Sequence, residues 1–526
     1  MAKVAIVGGG ISGLAAAYRL QELAPGYEIT LFEAAGRLGG VLETVHEAGF
    51  QIEQSADNFI TTFPWGVDLC RRLGLADRLL STNPACRRTF VVRKGRLWPL
   101  PDGFLMMAPS RLWPLAITPL LSPWGKLRAA LEYFIPARRA ESDESMAAFV
   151  RRRLGHEVFE RLVEPLVSAV YAADMEKLSV LATLPRFREM ERKYGSLIRA
   201  MQAQRRLNPE ATQESGARYS MFVTLPEGLS ELVQSIARRL PANSIQLHTQ
   251  VVAVEPRQGK WLLKVRRSSP VPMEKQRVSL PVQSSAELRP PAELPNAFGR
   301  ENGQELPRSS DSQSNFGAAQ RPWPEEFDGL ILATPASVTA ALIEPLEPMA
   351  AKLLASIRYE GTAILSLAYD RSQVGHPLNG MGCVVPAIER SPILAISFSS
   401  QKYVHRAPPD KVLLRVFAGG ARQPELADGE SEAVEDLLLP ELERLLRISG
   451  KPQYRWFARW PRSMPQYEVG HRERIARIEQ LIAAWPNLAL AGNAYQGVGI
   501  PHCIHSGQQA AERLCEVLKK RQIPCG

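Results

Sequence analysis

The chain has 526 residues, of which 45% are hydrophobic and 22% charged, with 64 Lys plus Arg against 54 Asp plus Glu and a formal net charge of +10. This length exceeds what one compact core can hold and predicts two or three domains, and the balanced composition excludes a disordered or fibrous chain. The cationic excess is spread without a basic block or a basic-aromatic alternation, which argues against a nucleic-acid binder.

The first elements read from "KVAIVGGGISGLAAAYRLQELAPGYEITLFEA" are an apolar strand at Val4 to Val7, a glycine turn, an alanine-rich helix, a Pro25-Gly26 stop and a second strand ending at Glu33. Strand, turn, helix and strand in this order predict a dinucleotide-binding βαβ unit. Gly8 makes the tight turn, Gly10 lets the backbone approach a pyrophosphate and Gly13 permits close helix-to-strand packing, with Gly9 and Ser12 in the same loop. The positive helix N-terminus would meet the phosphates. Glu33, at a strand end, can accept hydrogen bonds from ribose hydroxyls and disfavours a 2′-phosphate, so FAD or NAD is expected over NADP. In "AAGRLGG", Ala34 to Gly40, Gly39 and Gly40 let a second backbone segment pass close to the cofactor, and Arg37 is a candidate for phosphate.

These glycines follow the apolar start too soon for a signal peptide. The cysteines Cys70, Cys86, Cys383, Cys503, Cys515 and Cys525 form no C-x-x-C pair and no zinc spacing, so a reducing, cytoplasmic compartment is expected. No metal site is expected either, because His156, His471 and His505 are isolated.

Further along, "LWPLAITPLLSPWGKLRAALEYFIP" is broken by Pro114, Pro119, Pro123 and Lys126, which rules out a spanning helix there. The Trp- and Leu-rich stretch from Trp98 to Phe134 leaves two readings open: a surface lying on a bilayer, or a buried wall of a substrate cavity. From Met146 to about Gln204 apolar residues recur at helical spacing and predict a helical subdomain. Ser244 to Val265 and Phe327 to Pro335 read as strands, and alternation between about Ile357 and Trp460 predicts a second sheet. The Ser-, Gln-, Glu- and Pro-rich segment 268–326 cannot bury enough apolar surface to offset the entropy of ordering it, and is read as a disordered insertion in a hairpin.

At the far end, "NLALAGNAY" is a short strand reaching Gly492, and "GVGIPHCIHSGQQAAERLCEVLKK" opens a second helix on Gly497 and Gly499. If the first glycine loop holds the pyrophosphate of FAD, this one can sit under the isoalloxazine, where its amides and dipole would favour negative charge.

Together with "ESMAAFVRRRLGHEVFERLVEPLVSAVYAADMEKLSV", "TLPEGLSELVQSIARRL", "RWPRSMPQYEVGH" and "AGNAYQGVGIPHCI", these motifs give a chain that resembles the flavin amine oxidase superfamily. Within it the chain is most similar to the oxygen-dependent protoporphyrinogen/coproporphyrinogen oxidase family of haem biosynthesis, over nearly its whole length outside the insertion. The resemblance implies an α/β fold in which a Rossmann-like FAD-binding domain is interleaved with a sheet-based substrate domain and a helical domain. The FAD-binding domain would comprise 1–60, 220–335 and 470–526, the substrate domain 61–100, 206–219 and 336–469, and the helical, membrane-associating domain 101–205.

It also implies noncovalent FAD, so that Cys503 is not a flavin anchor. Val252 would contact the adenine side through its backbone, Trp460 would lie near the flavin, and Val498, Gly499 and Ile500, with Gly492 before them, would line the isoalloxazine. "IEQSADNFI" matches the family segment that passes flavin and substrate, with Ala56 toward the flavin and Asp57 and Phe59 as in the bacterial branch. Ser55-Ala56 replaces the usual Gly-Pro, and His502 stands where an Asp is common. The implied reaction removes six electrons from a porphyrinogen in three two-electron rounds, with oxygen as acceptor and hydrogen peroxide as product. Hand-over of the product to a ferrochelatase and peripheral attachment to the cytoplasmic face of a membrane belong to the same expectation.

Positioning outweighs strong acid-base chemistry in such an oxidation, so no catalytic acid or base is assigned. Asp57 and Asn58 are candidates for orienting pyrrole N–H groups. Arg87, Arg88 and Arg93 are candidates for the propionates, with Arg88 the one chosen. Competing readings are a carotenoid desaturase or amine oxidase of the superfamily, and a binding protein of the same fold without flavin.

Overall fold

The computed structural model describes residues 1–207, 222–268 and 326–522. The insertion expected at 268–326 falls, Ser268 and Glu326 apart, outside the described residues, as does most of 206–219. Strand Lys3–Val7 pairs in parallel with Glu28–Phe32 on one side and Gly329–Leu332 on the other, and Ile245–Gln246 and Leu488–Leu490 complete a five-stranded parallel sheet. Its central strands are continuous apolar runs because both faces are covered. Val4 and Ile6 face the helices Ile11–Leu23 and Ile500–Gln522. Ala5 and Val7 face the antiparallel strands Thr249–Arg257, Lys260–Arg267 and Glu326–Phe327, together with helices Ala336–Ile343, Pro348–Ala355 and His471–Ile482. All five strands end at one edge, where a parallel sheet opens its ligand crevice.

A second, seven-stranded sheet runs in the order Tyr454–Pro465, Tyr359–Asp370, Lys411–Gly419, Ala395–Phe398, Gly382–Val384, Thr89–Arg93 and Arg96–Pro99. The expected strands between 357 and 460 are therefore joined by a hairpin from much earlier in the chain, whose Thr89–Arg93 pairs in parallel with Gly382–Val384. Period-two alternation decides what this sheet presents. On strand Lys411–Gly419, Val412, Leu414 and Val416 pack beneath helix Ser431–Leu446, while Leu413 turns to the opposite face with Phe50, Ile52 and Trp456. Arg415 follows the parity of Leu413 and faces the first sheet's half of the molecule, where it is sealed from solvent.

Helices Met146–Leu154, Glu164–Tyr171, Pro185–Tyr194 and Leu197–Leu207 enclose a third core around Phe149, Phe159, Leu162 and Phe187. A buried ionic lattice pins it. Glu132 pairs with Arg153 and accepts the Leu197 and Ile198 amides at 2.8 and 3.1 Å, so it caps the start of helix Leu197–Leu207 from a distant segment. Helices Leu112–Ile117 and Pro123–Ala130 lie on this core's outer side. Trp113, Ile117, Trp124 and Phe134 are exposed there, at 73%, 60%, 79% and 74%, so these side chains are not a buried cavity wall. Among the described residues, no helix is long and apolar enough to cross a membrane.

Candidate functional site

Two helix N-termini and one crossing segment build the site at the carboxyl edge of the first sheet. Gly8 has φ +108°, and a Cβ there would meet the Ala333 carbonyl oxygen at 2.6 Å, while one on Gly13 would strike the Gly8 carbonyl. A Cβ on Gly10 would meet nothing within 4 Å, so the helix opens onto free space, and no side chain caps it. Ile11, Ser12 and Gly13 form its first turn, and these amides have no intrahelical acceptor. The Glu33 carboxylate accepts the Gly9 and Ala35 amides at 2.6 and 2.7 Å, which holds it across the glycine turn beside Ala34. Gly39 donates to Gly9 at 2.9 Å, and Gly40 approaches Gly10 with room for little else. Arg37 folds back onto this loop, donating to the Leu38, Gly40 and Leu42 carbonyls and pairing with Glu43 at 3.3 Å.

The second N-terminus follows strand Leu488–Leu490. Gly492, at φ +139°, donates to Ser506 at 3.1 Å, and Val498 and Gly499 lead into the helix at Ile500. That helix crosses the first one where Gly507 meets the Ser12 carbonyl, a contact that excludes any side chain at 507. The crossing lies about 10 Å along the axis from its own start, which places both helix N-termini on one crevice. Val252 sits at a register shift in its hairpin without a cross-strand partner and is 40% exposed, so its backbone is available to a ligand. The open face at Gly10, the bulge at Val252 and the carboxylate at the strand end together fit an extended adenine dinucleotide.

Segment Gln54–Asn58 crosses from this crevice to the second sheet, which grips its backbone. Trp460 Nε1 donates to the Gln54 carbonyl at 2.6 Å, Arg415 to that of Ser55, and Arg406 to that of Asp57 at 2.9 Å. Lys402 Nζ lies 3.2 and 3.0 Å from the two Asp57 carboxylate oxygens. Arg415 and Arg406 approach the same carboxylate at 3.7 and 3.8 Å, and Arg406 lies 3.6 Å from Glu53. Burial works against the Asp57 carboxylate, but Lys402, Arg415 and Arg406 together hold its pKa well below the usual range. Burial pushes Glu53 up against the opposing pull of Arg406 and the Leu229 amide.

The expected substrate residues separate in the structure. Asp57 and Asn58 are partly buried on the crossing segment, and Ala56 beside them is exposed. Phe59 is 2% exposed, with its ring against Gly66 in the first core, so it backs the segment rather than facing outward. Arg88 is exposed, and its carbonyl accepts the Met381 amide at 2.8 Å. Cys503 is buried in the first turns of the last helix with its thiol pushed up to about 12, which leaves it protonated and a poor nucleophile. Among the described residues, no group of three or more His, Cys, Asp or Glu is placed to hold a metal.

Lys402, Arg406 and Arg415 join the candidate site through Ser55 and Asp57, and sequence reasoning missed them. The available signal was Arg415: an arginine inside the apolar run of "KVLLRVFAGG" has to find a buried partner.

The family model described as flavin containing amine oxidoreductase matches residues 11–295 and 309–515. Coproporphyrinogen III oxidase of Bacillus subtilis (strain 168) is 30% identical over 514 residues, covering 96% of each chain. Protoporphyrinogen oxidase 2, chloroplastic/mitochondrial, of Arabidopsis thaliana is 25% identical over 541 residues, covering 98% of this chain and 94% of that one. Among solved structures, a protein assigned as a protoporphyrinogen oxidase from Exiguobacterium sp. 255-15 superposes with a TM-score of 0.78 at 28% identity, covering 99% of both chains.

Proposed function

Since this chain belongs to the flavin containing amine oxidoreductase family, as an FAD-dependent oxidoreductase of its porphyrinogen-oxidase branch, we propose that it oxidises coproporphyrinogen III to coproporphyrin III in haem biosynthesis. The observation that carries this reading is the end-to-end similarity to a coproporphyrinogen III oxidase, 96% of both chains at 30% identity. Protoporphyrinogen IX is the second substrate to test.

When bound, FAD supplies a two-electron acceptor that takes hydride from a bridging carbon and passes the electrons to dioxygen. Three rounds remove six electrons and six hydrogens, so each porphyrinogen consumes three O₂ and releases three H₂O₂. The chain's own part is to hold and orient. The uncapped amides at Gly10 to Gly13 would neutralise pyrophosphate charge, with Glu33 on the ribose and Val252 at the adenine. The amides at Val498 to Ile500 would lie at the isoalloxazine end, where the helix start favours negative charge. Arg37, already satisfied by three carbonyls, would shape the loop around Gly39 and Gly40 instead of gripping phosphate. Asp57, held ionised by three cations, can accept a pyrrole N–H but not supply a proton, and Asn58 lies beside it. Gln54 to Asp57, locked by Trp460, Arg415 and Arg406, would keep the macrocycle's approach fixed.

The exposed Trp113, Ile117, Trp124 and Phe134, with Lys126 among them, support peripheral attachment to a membrane surface through the helical part. There the porphyrin product could be passed to a metal-inserting enzyme such as ferrochelatase, and the scattered free thiols support the cytoplasmic side.

The deciding experiment follows porphyrin fluorescence in air with FAD-loaded protein and compares kcat/KM on coproporphyrinogen III and protoporphyrinogen IX. A preference for coproporphyrinogen with three peroxides per porphyrin is expected. A preference for protoporphyrinogen would move the step after side-chain decarboxylation, and no enzyme-dependent oxidation of either would overturn the proposal.

A further inference from the structure

The cluster around Asp57 does not balance. Lys402, Arg406 and Arg415 supply three cations, whereas Glu53 and Asp57 supply two carboxylates. Burial pushes Glu53 up and Lys402 down, each toward its neutral form, so the excess rests on the geometry of three cationic side chains gathered around two carboxylates. A buried excess charge costs free energy unless an opposite charge meets it. Four guanidinium N–H positions, Nε and Nη1 of both Arg406 and Arg415, are buried without a hydrogen-bond partner.

Access to this cluster is restricted. The side chains of Arg406 and Arg415 are 0% and 1% exposed and Glu53 is equally sealed, while Asp57 keeps 12% and Lys402 15%. An incoming anion can therefore meet the excess charge only at the open edge that Lys402 shares with Asp57. An ammonium has three donors, and Asp57 takes up the two sides facing its oxygens.

The neighbourhood matches. The Asn83 amide donates to the Lys402 carbonyl at 3.0 Å, and the Asn83 side chain to the Gln401 carbonyl at 3.1 Å. The loop that carries Arg88 is thereby stitched to the short helix Ser399–Lys402. Arg88 and Lys402 thus lie on two segments joined through Asn83.

We propose that Lys402, backed by Arg406 and Arg415, is a carboxylate-binding subsite that takes one propionate of the macrocycle and orients the ring. This rests on the porphyrinogen reading and names the residue that sets its carboxylate register. Arg406 and Arg415 are positioning residues, since they act through the segment they hold and through Lys402.

The test is steady-state kinetics of FAD-loaded K402M, K402R and D57N/K402M on coproporphyrinogen III, with FAD content as the check on folding. Binding of coproporphyrin III and of its uncharged tetramethyl ester is measured by fluorescence alongside. K402M is expected to raise KM by about 10- to 100-fold, the loss of one charge-assisted contact, with kcat changed less than about threefold. Product affinity should fall with it, whereas affinity for the tetramethyl ester stays the same. K402R should recover most of the loss. D57N/K402M, which removes one charge of each sign, should keep the high KM. An unchanged KM in K402M, or a KM restored in D57N/K402M, would show that Lys402 merely neutralises Asp57 and would overturn the subsite. Wild-type protein inert on every porphyrinogen would instead bring down the reading beneath it.

Discussion

His471 is 1% exposed and stacked on the Tyr467 ring at 4.1 Å. Burial, with Arg474 beside it, lowers its pKa from 6.5 to about 4. A histidine depressed in this way binds fewer protons folded than unfolded, so stability is lost as pH falls from its unfolded pKa toward its folded one. We expect His471 to remove about 2 kcal/mol of stability between pH 7 and pH 5. Thermal melts of H471Q should fall less steeply over that interval, and parallel curves for variant and wild type would remove His471 as the cause. This residue was visible in the sequence only as an isolated histidine, because nothing local announces burial. The same holds for Lys402 and Arg406, whose partner Asp57 lies 345 and 349 positions away, so no local pattern could pair them. The glycines were legible for the opposite reason. Their requirement is local, and Gly8 shows it in its positive φ and Gly13 in its contact with the Gly8 carbonyl.

At the scale of elements, the crossing of helices Ile11–Leu23 and Ile500–Gln522 depends on the absence of one methyl group. G507A sets a Cβ against the Ser12 carbonyl, a backbone atom that cannot rotate aside. We expect it to cost about 1 to 3 kcal/mol and to release FAD on gel filtration; full FAD content at unchanged melting temperature would contradict this. The helical part rests on a different contact. Glu132 and Arg153 are both sealed from solvent. E132Q removes the nearer of the two carboxylates at Arg153, with Glu191 staying at 3.5 Å, and is expected to cost about 1 to 3 kcal/mol by chemical denaturation; an unchanged midpoint would remove this pair as a support of the helical part. Helices and strands with clean periodicity were readable from sequence, including the run from Met146 and the alternation after 357. The hairpin of Thr89–Arg93 and Arg96–Pro99 was grouped with 336–469 through the resemblance alone, since its parallel partner, Gly382–Val384, lies nearly 300 residues on and strand pairing leaves no mark on either sequence.

For the molecule as a whole, the apolar exposure is concentrated on one part. Co-sedimentation with vesicles of anionic and zwitterionic lipid should retain the wild type, and W113A/W124A should bind about tenfold more weakly while keeping its FAD. Equal binding by both would remove the membrane role of this face. The exposure of Trp113, Ile117, Trp124 and Phe134 removes the buried-wall reading for these side chains and leaves the bilayer-surface reading to the vesicle experiment. The interleaving also sets an order in time. Gly10 is made well before Gly499, and of the five strands of the parallel sheet Leu488–Leu490 comes last in sequence. At roughly 5 to 20 residues per second, a ribosome needs roughly 25 to 100 s to make what lies between. The nascent chain spends that interval with half a cradle, so flavin capture through both loops waits until the second has been made.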